Sequence, residues 1–100
     1  MSTTDIQLDE KSKIRASEPK RWKVILLNDD STPMEFVIAV LVEIFKHTQD
    51  SARDIMLQVH ETGSGVAGIY SFEIAESKAV EATTQARTNG HPLQIKLEEE

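Results

Sequence analysis

The chain has 100 residues, of which 39% are hydrophobic, a length that bounds it to one domain with a modest core and no room to enclose a large cofactor. It has no cysteine, which excludes disulfides, thiolate metal sites and cysteine nucleophiles together and fits a reducing cytoplasm. The formal net charge is −6, with about −7 on the residues after Arg21; an acidic body repels phosphate backbones despite the short Lys20-Arg21-Trp22-Lys23 run, so a cationic partner is favoured over nucleic acid.

Residues 1–19 mix Ser, Thr, Asp, Lys and Glu with only isolated Ile6, Leu8 and Ile14, too little apolar surface to offset ordering entropy, and are expected to form a flexible arm. They hold no apolar run suited to a signal peptide or membrane span, so the protein is expected to be soluble and cytoplasmic, with no membrane contact. Lys23 to Leu27 reads as a strand with two apolar faces, Trp22, Val24 and Leu26 on one and Ile25 and Leu27 on the other, which suits a central position.

Asn28-Asp29-Asp30 then makes a polar turn. Thr32-Pro33-Met34-Glu35 has the spacing of a capping box with proline at the first helical position. From Pro33 to about His47, Met34, Val37, Ile38, Leu41, Ile44 and Phe45 recur at helical intervals. Ser51 with Asp54 starts a second helix whose stripe is Ala52, Ile55, Met56 and Val59. Gly63, Ser64, Gly65 and Gly68 read as a break, after which Tyr70, Phe72 and Ile74 alternate with Ser71 and Glu73 as a half-buried strand. An alanine-rich third helix is expected from about Ser77 to Asn89-Gly90, and Leu93, Ile95 and Leu97 alternate through a last strand that ends in a solvated Glu98-Glu99-Glu100 run. The order is β-α-α-β-α-β: an α+β fold in a single small domain over residues 20–100, with three helices packed on a three-stranded sheet.

Three features carry chemistry. Asn28, Asp29 and Asp30 are common turn-formers, but their oxygens also offer a recess for an organic cation. As adjacent residues they make a poor acid/base pair, and no ligand motif surrounds them, so neither a catalytic group nor a metal site is expected. His60 sits near a helix C-terminus, where a histidine commonly stabilises the dipole or caps; a binding role requires its ring to reach the Asn28–Asp30 turn. Met34, Met56, Val59 and Leu93 would ordinarily be core, although methionine also lines adaptable pockets and Met34 stands beside the polar turn. His47 and His91 read as surface or turn residues.

The stretches VILLNDDSTPMEFV, MLQVHETG, the G-x-Y-x-x-E-x-A-E-x-K arrangement from Gly68 to Lys78, and HPL at His91 to Leu93 resemble, in order and spacing, the ClpS adaptor family of the bacterial N-end rule. The resemblance covers roughly Arg21 to Leu97, with Ala67 standing where the family usually has cysteine. It implies a non-enzymatic adaptor without cofactors. Asn28, Asp29, Asp30 and His60 would hold a free α-amino group. Leu27, Thr32, Met34, Val37, Met56, Val59 and Leu93 would line a pocket for an N-terminal Leu, Phe, Tyr or Trp side chain, with Met34 excluding β-branched ones. Glu73 and Lys78 would contact the N-terminal domain of a ClpA-type AAA+ unfoldase, and the arm would serve delivery. An alternative keeps the unfoldase contact but makes the domain a docking regulator that does not read N-termini; a hydrolase or metal-dependent enzyme using Asp29, Asp30 and His60 is a third.

Overall fold

A strand with two apolar faces needs cover on both sides and pairing along both edges. In the computed structural model, which describes residues 20–100, Arg21–Leu27 (β1) is the central strand of a three-stranded antiparallel sheet, with Ser64–Ser71 (β2) on one side and Gln94–Glu99 (β3) on the other. The arm expected over residues 1–19 lies outside the described residues. Val24 and Leu26 are fully buried against the helical layer. Ile25, on the opposite face, is screened by its register partners Val66 and Lys96.

Three helices cover one face of the sheet. Met34–Glu43 (α1) buries Val37, Val40 and Leu41, and Ile44 and Phe45 continue the same core just past its end. The helix stops four residues before the expected His47. Lys46 takes a left-handed φ of 63°, and the His47 N–H turns back to the Leu41 carbonyl at 3.0 Å. Gln49–Thr62 (α2) starts at Thr48 rather than Ser51, because the Thr48 hydroxyl oxygen accepts the Ser51 N–H at 3.1 Å. Its C-terminus is Gly63 at φ 97°, a conformation that favours glycine, with the Gly63 N–H on the Val59 carbonyl.

The second strand corrects the sequence reading. β2 runs from Ser64 to Ser71, through the glycines taken as a break, and Phe72–Thr88 (α3) begins where Phe72, Glu73 and Ile74 were expected to be strand. Gly65 and Gly68 serve close approach: a Cβ on Gly65 would stand 2.8 Å from Val59 Cγ2, and one on Gly68 would run into the Tyr70 ring. Ser71 keeps extended dihedrals as the N-cap, and Phe72 turns its ring edge-on to Trp22 at 5.1 Å. The helical period starts at Ala75, two residues before Ser77: Ala75, Ala82 and Ala86 are buried with Ala79 packed among them, a small-residue stripe that lets α3 lie close to the sheet.

The two edge strands are built differently. β3 carries Lys96, Glu98 and Glu99, while β2 holds no charged residue. Instead, the Ala67 carbonyl, at the bulge opposite Val24/Ile25, accepts His47 Nε2 at 2.5 Å, and the Thr62 hydroxyl divides its one proton between the Gln58 carbonyl at 2.8 Å and the Ser64 carbonyl at 3.0 Å. The terminal glutamates are more than a solvated end. Glu98 and Glu99 pair with Lys23 and Lys20, and the Glu100 carboxylate receives both Nε and Nη2 of Arg21, so β3 is clasped to the start of β1. Such exposed pairs are screened by solvent and contribute little to stability.

Candidate functional site

Where β1 leaves the sheet, the Asn28 backbone N–H donates to the Gly63 carbonyl at 2.9 Å. This bond ties the Asn28–Asp30 turn to the end of α2, so His60, one turn before Gly63, comes beside it. α1 departs from the far side of the same turn. The result is a cavity of about 200 Å³ lined by Asn28, Asp29, Asp30, Thr32, Met34, Val37, Met56, Val59 and His60.

Most of the expected site residues therefore meet in one place. Val37, Met56 and Val59 are nearly buried and form its apolar floor, and Met34 is 43% exposed at its mouth. Leu27 and Leu93 are absent from the lining. Leu27 is half-buried at the end of β1, and Leu93 is 1% exposed within the core, with its carbonyl held by Arg87 Nη1 at 2.8 Å.

The two adjacent aspartates have different employment. Asp29 Oδ1 accepts the Ser31 and Thr32 N–H groups at 2.8 and 2.7 Å, and Oδ2 accepts the Thr32 hydroxyl at 2.7 Å. Partial burial alone would raise the Asp29 pKa. The Thr32 hydroxyl, the Thr32 and Ser31 amides and the charge of His91 together outweigh that effect and hold the carboxyl below its usual value. The expected capping box is not made: Asp29 Oδ1 takes the Thr32 N–H that the Glu35 carboxylate would accept, and α1 starts from Pro33 without a side-chain cap. The side chains of Asn28, Asp30 and His60 hydrogen-bond no other described residue, which leaves an amide oxygen, a carboxylate and an imidazole nitrogen open at the cavity rim. Among the described residues no group of three or more His, Asp or Glu side chains converges as a metal site.

The other expected contact residues lie elsewhere. Glu73 is exposed in the first turn of α3. Lys78, two turns into the same helix, is half-buried: its ammonium donates to the Ile44 carbonyl at 2.8 Å and stands 5.4 Å from the centre of the Tyr70 ring. Two histidines do more than the sequence suggested. His47 bridges Ser51 Oγ at 3.1 Å and the Ala67 carbonyl, locking the α1–α2 joint to β2. His91 packs edge-on against Phe36 at 4.6 Å and faces Asp29. Ser51 is only four residues from His47, but Ala67, and the Phe36 and Asp29 that His91 meets, are distant in sequence and leave no local signal. No helix among the described residues is long and apolar enough to cross a membrane.

Comparisons with known proteins agree with one another. The family model described as ATP-dependent Clp protease adaptor protein ClpS matches residues 17–96. The ATP-dependent Clp protease adapter protein ClpS of Gluconobacter oxydans is 49% identical over 83 residues, covering 83% of this chain and 70% of that protein. Its counterpart in Burkholderia mallei is 46% identical over 95 residues, covering 95% of this chain and 91% of that protein. Among solved structures, Agrobacterium tumefaciens ClpS2 bound to L-phenylalaninamide is 44% identical with a TM-score of 0.81, covering 83% of this chain and 100% of that one.

Proposed function

The chain belongs to the ClpS family of ATP-dependent Clp protease adaptors, and from that premise we propose that it reads the N-terminal residue of its cargo. Proteins beginning with Leu, Phe, Tyr or Trp would be held by their free α-amino group and first side chain, then passed to the N-terminal domain of a ClpA-type AAA+ unfoldase. The observation that carries this reading is the single cavity in which open acceptors at Asn28, Asp30 and His60 adjoin an apolar floor of Val37, Met56 and Val59.

The chemistry of the two halves matches one ligand. A protonated α-amine presents three donors, and an amide oxygen, a carboxylate and a neutral imidazole nitrogen are three acceptors. Hydrogen bonds to a charged group contribute about 1.5–3 kcal/mol each, and burial of a Leu or Phe side chain contributes a similar amount. After association costs this leaves affinity of roughly micromolar order, suited to an adaptor that must release its cargo. In this scheme Asp29 shapes the wall and adds negative potential, since its oxygens already serve the turn. The phenylalaninamide bound by the Agrobacterium relative has the same two elements, a free α-amine and an aromatic side chain. We assign the unfoldase-facing surface to Glu73 and Lys78 on α3, away from the pocket.

Fluorescence anisotropy with a labelled Phe-starting peptide tests the pocket reading. N-acetylation of the peptide, which removes the charge and two donors, is expected to weaken binding by about a hundredfold or more. Binding should also weaken as pH rises through the amine pKa of about 8. Equal affinity for the free and acetylated peptides would sink the amine clamp. No binding to any Leu-, Phe-, Tyr- or Trp-starting peptide, with the unfoldase domain still bound, would instead make the domain a docking regulator.

A further inference from the structure

Two of the three methionines of the chain, Met34 and Met56, line the same cavity but differ in access: Met34 is 43% exposed and Met56 is 7% exposed. Because the chain has no cysteine, two-electron oxidation of sulfur falls entirely on thioethers. Met34 is the first residue of α1, next to the polar turn, where a small oxidant reaches its sulfur from solvent. We propose that Met34 is a reversible oxidation site, and that its modification by a hydroperoxide shuts the pocket to cargo. The inference rests on the N-terminal-residue reading of the same cavity.

The step is balanced. The Met34 sulfur attacks one peroxide oxygen, a sulfur–oxygen bond forms as the oxygen–oxygen bond breaks, and with hydrogen peroxide the proton on the attacked oxygen passes to the departing hydroxide, which leaves as water; sulfur is oxidised by two electrons and the peroxide is reduced. The product exchanges a flexible apolar group for a polar, chiral one. A sulfoxide at the mouth keeps its hydration only while the pocket is empty. An apolar side chain pressed against it strips that water and offers no hydrogen bond in return. The added oxygen is one more acceptor on a rim that already carries the Asp30 carboxylate, and the Asn28 and His60 side chains that could donate to it are the ones assigned to the cargo's α-amine. Met56, on the floor, is shielded by the packing that buries it, so the response is graded: the exposed sulfur reacts first. Methionine sulfoxide reductases restore the thioether, which makes the change a switch rather than damage.

The test uses the full chain, hydrogen peroxide and a labelled Phe-starting peptide. Protein taken at intervals is mapped by mass spectrometry for oxygen addition at Met34 and Met56, and its peptide affinity is measured by anisotropy. Met34 is expected to oxidise first, affinity to fall at least about tenfold (about 1.4 kcal/mol) in step with that modification, and methionine sulfoxide reductases to restore both. In Met34→Leu the ratio of affinities before and after treatment, whatever the starting value, should stay near one. Full oxidation at Met34 with unchanged affinity overturns the proposal, as do equal oxidation rates at the two sulfurs or an equal loss in Met34→Leu. If the untreated protein fails to bind the peptide, the N-terminal-residue reading has failed, a result separate from the oxidation outcome.

Discussion

The two ends of α1 handle polar groups in opposite ways. At its start, the side chains of Asn28, Asp30 and His60 hydrogen-bond no other described residue, and Met34 is an exposed apolar side chain. At its end, the Ile44 carbonyl is taken by Lys78, whose ammonium also stands over Tyr70, and Tyr70 lies 6.5 Å from Phe45, ring centre to ring centre. The saturated end fixes the helix, and the open end can then keep unpaired acceptors at constant spacing. The proposed binding site is the place where hydrogen bonding among the described residues stops short.

The contrast can be tested from its strongest element to its weakest. Asp30→Ala removes an open acceptor, so affinity for a Phe-starting peptide should drop about 10- to 150-fold, as for loss of one charged hydrogen bond, while stability changes by less than about 0.5 kcal/mol in denaturant melts. A large loss of stability would place Asp30 among the turn's internal supports. Asp29→Ala should act the other way round: three hydrogen bonds to the turn are lost, and the denaturation midpoint should report about 1–2 kcal/mol of destabilisation. Lys78→Met keeps much of the stem's packing but frees the Ile44 carbonyl, with an expected cost of about 1 kcal/mol and no change in peptide affinity. If affinity falls as well, the two ends of α1 are coupled.

The smallest effect is with pH. The folded Asp29 pKa lies below its unfolded value, so its contribution is complete above the unfolded carboxylate pKa of about 3.9 and is lost as pH falls through the folded value. Acid titration of stability should therefore steepen below pH about 4, and Asp29→Asn should flatten that limb.

Much of this site was legible because its determinants are local. The apolar run into Asn28-Asp29-Asp30, and the helical spacing of Met34 and Val37, specify a strand, a turn and a helix start within one stretch of chain. The approach of His60 was expected from the family resemblance; its cause, the Asn28 N–H on the Gly63 carbonyl, joins residues 35 positions apart and has no signature in either segment. β2 was misread because glycine has two uses. Gly65 and Gly68 looked like chain breakers, whereas they thin the strand where Val59 and Tyr70 need space. The apparent alternation at Tyr70, Phe72 and Ile74 crosses a strand-to-helix boundary, and the alanines from Ala75 onward carry the true helical period. The spacing of Thr32 and Glu35 suggests a helix cap, but the carboxylate three residues before Thr32 takes the Thr32 N–H that Glu35 would accept.

The sheet edges bear on the company such a protein keeps. An adaptor of a protease works beside chains that are being unfolded, and loose strands add readily to any sheet border with free amides and carbonyls. β3 meets that hazard with repulsive charge, whereas β2, which is uncharged, closes its Ala67 carbonyl with His47 and shares the Thr62 hydroxyl at Ser64 with the Gln58 carbonyl. His47 thus occupies a β2 carbonyl that a passing strand could otherwise use, and its loss is expected to show first as turbidity in the presence of unfolding protein.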